Sequence, residues 1–420
     1  MPEPGAADSR PRPSRWSTRD LLGPTMIFVG GFLLAAALAL PTLLVPQLKL
    51  IPLSTDVTTV ATSVPATATP AGSAPGASAT ILDRCSLNTP TARTVGAALV
   101  RQQRVVAVRP ADKRVITLQA GTSVQAERIR LDGRTADTDA PRPGSQTAPA
   151  PGKTPCTDPT LSASKDRVTL DRRSALPDLG ANPSGVRGNS EIQYDSNAVP
   201  VPAPDRTGYT YVLPFGVSGD DHTFFDPTTR KSVPLVHRGE TQVDGRSAEQ
   251  FVADVADTDL DATRSGVADG VPPTRITRPA SWFGVGGDPA RELTATLHQS
   301  SRWELAVDTT TGTVLDERVT VEEAYRIADP TLTDPALAHY SLVNLRATFA
   351  YDDATRDRLS DLAGRLATPI VVWGRVVPIV AGILGVAAVA GGLVMTVPGW
   401  REAMRAWTGQ RRRRSTPPPR

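Results

Sequence analysis

Two apolar segments at opposite ends of the chain, Pro24–Leu48 and Val376–Val397, enclose about 330 mostly polar residues. A bilayer core about 30 Å thick needs about 20 apolar residues in a helix. The first segment carries no charged residue from Leu21 to Leu48, and the second none from Ile379 to Val397. The chain therefore reads as a bitopic hairpin whose large middle region is held to one side of a membrane by both ends.

Arginine decides which side. Arg10, Arg12, Arg15 and Arg19 precede the first span, and Arg401, Arg405, Arg411, Arg412, Arg413, Arg414 and Arg420 follow the second. Positive residues close to span ends are retained in the cytoplasm. The expected arrangement is an inner (plasma) membrane protein with both termini cytoplasmic and the main domain extracytoplasmic. A cleaved signal peptide is the rival for the first span, but its apolar region is normally 7–15 residues. The net charge of +3 owes much to the two tails. The Arg411–Arg414 run reads as a topology signal that touches anionic headgroups, so no nucleic-acid partner is expected.

Only five of 46 basic residues are lysine, a bias that fits a high-GC bacterial genome. The two cysteines, Cys85 and Cys156, both fall in the exported region. Two cysteines in an oxidising compartment usually pair, and a bridge would close a loop of about 70 residues. Free thiols are the alternative.

Composition divides the chain into a cytoplasmic tail (1–21), a transmembrane helix (22–48), a flexible stalk (49–80), a β-rich exported domain (81–351), an amphipathic and juxtamembrane helix (352–375), a second transmembrane helix (376–398) and a basic tail (399–420). The stalk assignment rests on Ser54–Thr80, built almost entirely of Ala, Thr, Ser, Pro and Gly. Residues 132–160 form a Pro-rich insertion. Pro177–Gly188 and Asp257–Pro279 are further irregular stretches.

Between these breaks the pattern is mostly strand. Short β-branched runs occur at Arg104–Arg109, Arg114–Gln119, Val124–Leu131, Arg167–Asp171, Tyr209–Val217 and Gln250–Val255. Glu292–Gln299, Trp303–Asp308 and Thr313–Thr320 continue the pattern, with Leu293, Ala295 and Leu297 alternating against Thr294, Thr296 and His298. Phe224–Arg230 and Ala306–Gly312 share one hairpin form: a strand, an Asp that can bond the backbone ahead of it, a polar turn, and a second strand. Asp352–Leu366 predicts a helix with Leu359, Leu362, Ala363 and Leu366 on one face and an acidic start. The expected fold is a mainly β (α+β) exported domain of antiparallel sheet and hairpins, anchored by one N-terminal and one C-terminal transmembrane α-helix.

Chemistry is sparse. No HExxH, CxxC, GxSxG, Walker or dinucleotide motif is present, and none of His222, His237, His298 and His339 stands four residues from another. Asp220, Asp221, His222 and Asp226 offer metal ligands, but a solvated hairpin turn explains the same residues. Asp257, Asp259 and Asp261 imitate the opening of a calcium loop, yet Ala262 stands where Gly is needed and Ala268 where Glu is needed. No metal, cofactor or catalytic residue is expected. Trp282 and Phe283, in a Gly/Pro-rich segment, are either core anchors or a lip for a lipid. In the spans, Gly31, Ala35 and Ala39, and Ala381 with Gly385, recur every four residues and predict helix packing.

The order Leu213-Pro214-Phe215, Phe224-Phe225-Asp226, Arg238-Gly239-Glu240, Val243-Asp244-Gly245 and Phe251, followed by Trp303–Asp308 with Thr311-Gly312, resembles the actinobacterial PorA-like family. Its domain carries the label porin PorA or is left without a function. A transmembrane barrel would need an apolar exterior that this ectodomain lacks, so the label conflicts with the composition. A mycobacterial polar growth factor of this family is associated with a trehalose monomycolate flippase. The resemblance thus implies a lipid-transport accessory role beside an inner-membrane lipid transporter, with an envelope (mycolate-type) glycolipid as ligand. Tyr209, Tyr211, Phe215, Phe224, Phe225, Trp282 and Phe283 are the candidate lining of its cleft. A structural or interaction protein, in which the same aromatics fill the core, is the alternative. A hydrolase or transferase lacks a visible nucleophile–base pair.

Overall fold

The computed structural model describes residues 18–65, 78–131, 134–137, 158–180, 187–195, 198–264, 271–327 and 335–396. The chain divides into a β unit, residues 49–367, and a helical unit made of the residues before and after it.

In the helical unit, α1 (Thr18–Ala39) and α3 (Val377–Thr396) are long and apolar enough to cross a membrane. They run antiparallel, because Gly23 meets Gly392 and Thr396 while Gly30 meets Gly385 and Val389. A Cβ at Gly30 would stand 2.7 Å from the Gly385 carbonyl oxygen, and one at Gly392 2.7 Å from that of Gly23. Glycine is what lets the two backbones approach this closely. The packing face corrects part of the expectation. Ala381 and Gly385 are buried, but a Cβ at Gly31 would meet nothing within 4 Å, and Ala35 is exposed. Ala39 is only half-buried. The contact repeats every seven residues through Gly23, Gly30 and Ala37. In an alanine-rich helix a four-residue spacing occurs on more than one face, so the spacing alone does not select the contact.

The β unit is built from β1 (Asp56–Val64), β2 (Ala79–Leu82), β3 (Thr94–Ala111), β4 (Val115–Leu131), β5 (Arg134–Asp137), β6 (Thr160–Asp171), β7 (Ser190–Gln193) and β8 (Val201–Pro202). It continues with β9 (His222–Asp226), β10 (Lys231–Val243), β11 (Arg246–Asp259), β12 (Arg275–Pro279), β13 (Glu292–Asp308), β14 (Val314–Ile327) and β15 (Leu342–Tyr351). The strands form one antiparallel sheet in the order β8-β7-β6-β4-β3-β1-β15-β14-β13-β11-β10-β9. On its flanks β2 pairs with β3 and β15, β5 with β4, and β12 with β13.

The sheet curls until its ends meet. Phe225 of β9 packs in one cluster with Ile192 of β7, Tyr194 and Ala203. The stretch 203–209 carries the seam between the two edges. Ala203 N–H donates to Ser190 of β7 (2.8 Å), and Tyr209 exchanges backbone bonds with Thr223 and Phe225 of β9 (2.8 Å each). The Tyr194 hydroxyl donates to the Pro227 carbonyl at 2.9 Å. Closure thus runs through a connecting segment and side chains, with no ladder between β8 and β9.

Both predicted hairpins form, and by the same turn. Asp226 Oδ2 accepts from the Thr229 N–H (2.9 Å) and hydroxyl (2.6 Å). Asp308 Oδ1 accepts from the Thr311 N–H (2.8 Å) and hydroxyl (2.7 Å). The next residue is left-handed in each, Arg230 at φ 60° and Gly312 at φ 70°. At the second turn only glycine fits, since a Cβ would lie 2.3 Å from the Leu213 carbonyl oxygen.

Three expectations change. The residues read as the start of a stalk are β1, which lies between β3 and β15 in the middle of the sheet. Alternating Thr and Val suit a strand as well as a linker, and Val60 and Ala61 are buried. Glu292–Gln299 and Trp303–Asp308 are one continuous strand. Tyr209–Val217 is irregular seam chain, not strand. Cys156 lies outside the described residues, and so does any bridge to Cys85. Cys85 sits in a short helix next to Arg84, whose guanidinium donates to the carbonyls of Thr160 and Leu161 at the start of β6.

The predicted amphipathic helix is α2 (Asp353–Val371), of which residues to Ala367 belong to the β unit. Asp352 Oδ1 accepts from the Thr355 N–H at 2.8 Å, capping its first turn. Leu359 and Ala363 are buried, and the Thr355 hydroxyl holds the Val60 N–H of β1 at 3.1 Å.

Candidate functional site

Inside the curl of the sheet lies a cavity of about 110 Å³ lined by polar and apolar groups in similar measure. Arg101, Tyr211, Asp226, Arg264, Gln299 and Glu323 are among its walls. Two of its charges neutralise each other. Arg101 of β3 donates to Glu317 of β14 at 2.5 Å while lying over the Trp303 ring, and the Tyr351 hydroxyl reaches the same carboxylate at 3.4 Å. Arg264 covers the Tyr194 ring at 3.9 Å and donates to the Thr228 carbonyl at 3.0 Å. Asp226 keeps one oxygen, Oδ1, without a hydrogen-bond partner among the described residues. Such a cavity is polar enough to hold water.

Burial raises two of the acids that line it. Desolvation pushes the Asp226 carboxyl above its ordinary 3.8 although Thr229 donates to it. It likewise pushes Glu323 above 4.5 against the Asn344 amide, which donates at 2.7 Å. A carboxyl whose folded pKa is raised contributes stability that is fully present below the unfolded value and is lost as pH rises through the folded one. The stability of Glu323→Gln relative to the parent is therefore expected to rise as pH climbs from about 4.5. Each unit by which the folded value is raised is worth about 1.4 kcal/mol. Denaturant midpoints of both proteins from pH 4 to 7 check this. A difference that is flat with pH, or that falls, would contradict it.

A second hollow, of about 220 Å³, shares Gln103, Thr210, Tyr211 and Glu317 with the first but is mostly apolar. Leu213, Phe215, Leu305 and Val314 form one side, and Leu359, Leu362 and Leu366 of α2 another. Ile51, Pro52 and Val57 complete it. A third, open groove of about 410 Å³ shares Asp56, Val57, Leu359 and Leu362 with the chamber. Its remaining lining includes Arg104, Arg358, Asp361 and Arg365. From outside inward the β unit thus offers a charged groove, an apolar chamber and a cavity of mixed lining, each adjoining the next.

The seven candidate aromatics divide among these places. Tyr211 lines both chamber and cavity, Phe215 the chamber, and Phe224 the cavity. Tyr209 and Phe225 are buried seam residues in the main core and in the seam cluster. Trp282 and Phe283 lie apart in a third cluster, edge to face at 4.9 Å, with Trp282 Nε1 donating to the Ser86 carbonyl at 2.9 Å. That pair is core, not a lip. The chamber wall supplied by α2 and by residues 51–57 went unread, because nothing in the apolar face of one helix reveals a void behind it.

Catalytic and metal chemistry gain little. His298 Nδ1 lies 3.1 Å from Asp257 and Nε2 3.3 Å from the Thr296 hydroxyl, but Thr296 is buried and does not line the hollow of about 60 Å³ beside the histidine. The calcium-like acids each have protein partners. Asp257 takes Arg326, Asp259 takes the Asp261 and Ala262 N–H groups, and Asp261 takes Arg275 and Thr274. Among the described residues no three His, Cys, Asp or Glu side chains converge on a metal position.

The family model described as Porin PorA matches residues 22–394, from the first span to the second. The chain is 23% identical over 414 residues to a protein named Porin PorA from Corynebacterium amycolatum, covering 87% of this chain and 95% of that one. It is 22% identical over 444 residues to a Porin PorA from Corynebacterium resistens, covering 90% and 97%. With nearly its whole length matched, the chain belongs to the Porin PorA family and is an envelope protein of that kind.

Proposed function

We propose that this member of the Porin PorA family is a non-enzymatic accessory of the cell envelope that takes up the acyl part of an envelope lipid. The apolar chamber against α2 carries the reading. At about 220 Å³ it falls below the about 300 Å³ at which pockets for whole drug-sized ligands begin, so it suits part of a chain. Part of its wall comes from residues 51–59 and 359–366, the stretches of the β unit nearest in sequence to the two spans.

A pore is the less suitable reading. Among the described residues of the β unit, the exposed large apolar side chains are Leu53, Leu176, Val199 and Val271. A lipid-facing barrel needs a continuous outward apolar band. The antiparallel helix pair supports a plasma-membrane anchor with both ends on one side, and the arginine-rich tails make that side cytoplasmic. The family resemblance makes a mycolate-type glycolipid and an inner-membrane lipid transporter the cargo and partner to try first.

The test purifies the full chain in mild detergent and identifies co-extracted lipids by mass spectrometry, beside Leu362→Trp, which fills the chamber. Bound lipid in the parent and at least a tenfold loss in the variant are expected, with the thermal midpoint of the fold retained. A lipid-free parent, or a variant carrying as much lipid as the parent, would leave an envelope interaction role instead.

A further inference from the structure

The groove outside the chamber has a charge pattern that an acyl-binding role does not require. Five charged groups face it: Asp56 and Arg104 from β1 and β3, and Arg358, Asp361 and Arg365 from α2. Asp56 and Arg104 satisfy each other through two bonds, Nε to Oδ1 at 3.0 Å and Nη2 to Oδ2 at 2.8 Å. Among the described residues Arg358 donates only within its own helix, to the Ala354 carbonyl and the Thr355 hydroxyl. Among the described residues neither it nor Arg365 is in an ion pair with a carboxylate, and Asp361 is in none with a cation. With the Asp56–Arg104 pair set aside, two guanidiniums face one carboxylate, leaving a single excess positive charge. Leu359 and Leu362, next in sequence to Arg358 and Asp361 respectively, line groove and chamber alike. A ligand lying across that shared wall would have its apolar part in the chamber and its head between Arg358 and Arg365.

We propose that the groove binds the anionic phosphate headgroup of a lipid whose acyl chain enters the chamber. Guanidinium suits phosphate because its planar fork donates paired hydrogen bonds to two oxygens. The inference rests on the acyl-uptake reading, and it puts a phosphate-bearing lipid ahead of an uncharged mycolate-type glycolipid as the cargo.

Three fluorescent-tailed probes of equal chain length separate the possibilities: a phosphatidylglycerol, a phosphatidylcholine and an uncharged glycolipid. Each is titrated into the full chain in maltoside micelles at low and high salt. The anionic probe is expected to bind about fivefold more tightly than the other two at low salt, the preference shrinking at high salt. Arg358→Gln with Arg365→Gln should abolish the preference while leaving binding of the uncharged probes unchanged. Asp361→Asn should increase it by about twofold. All three residues lie at the groove surface, and the thermal midpoint verifies folding. Equal binding of the three probes, or a preference that survives in the double variant, overturns the headgroup assignment and leaves acyl uptake standing. Competition by millimolar inorganic phosphate as effective as that of the lipid also overturns it, by making the site one for the free ion. Failure of all three probes removes both readings.

Discussion

Arg206→Ala is expected to destabilise the fold by about 3–5 kcal/mol, the usual cost of removing one partner from a buried ion pair. Arg206 Nη1 donates to both oxygens of Asp166 on β6 at 2.8 Å, with the two side chains 1% and 2% exposed. Its Nη2 donates to the Thr210 hydroxyl at 2.8 Å, and its guanidinium lies 4.3 Å from the centre of the Phe225 ring on β9. One side chain therefore ties the two ends of the curled sheet together. Truncation would leave Asp166 buried with only the Tyr211 hydroxyl, at 2.5 Å, to hold its charge. Lysine should rescue poorly, because an ammonium cannot reproduce the fork or the stacking. Replacing both partners, Arg206→Met with Asp166→Leu, should recover most of the loss, since an apolar pair leaves no stranded charge. Urea midpoints of the three variants measure this. A single truncation costing under about 1 kcal/mol would mean that the seam does not depend on the pair.

Trp282→Ala should also cost about 3–5 kcal/mol, and it should leave lipid content unchanged. Trp282 is 2% exposed, lies against Phe283, and donates to the Ser86 carbonyl. Its own carbonyl accepts from the Ala92 N–H at 2.8 Å. The indole thus holds the segment after β2 against the sheet. Co-extracted lipid should match the parent per folded molecule, because Trp282 lines neither chamber nor groove. Loss of lipid without loss of stability would instead make it a lip.

What was legible in the sequence follows the range of the interactions. The spans, the two Asp-led hairpins and the amphipathic helix depend on residues within a few positions of one another, and each forms. The Thr/Val run at 56–64 looks like linker in sequence because its strand character comes from partners far along the chain. The aromatic pair at Trp282 is a similar case, its role set by Ser86 nearly two hundred residues away. The site was half visible. Tyr211, Phe215 and Phe224 line the cavity or the chamber, whereas Tyr209, Phe225, Trp282 and Phe283 line neither of these. Side-chain type marks what can be buried, and only the curl of the sheet decides which buried face meets empty space. The groove arginines read as an ordinary solvated helix face until β1 and β3 are placed beside them.

The central position of β1 bears on how the protein is made. Its partners are β3 on one side and β15 on the other, with Ala61 opposite Tyr351. The first strand of the chain must therefore wait for the last before its second edge is filled. Contacts this distant in sequence close slowly. Until β15 arrives, β1 presents an unpaired central edge, which places the main aggregation hazard of the domain in its folding and not in the finished fold.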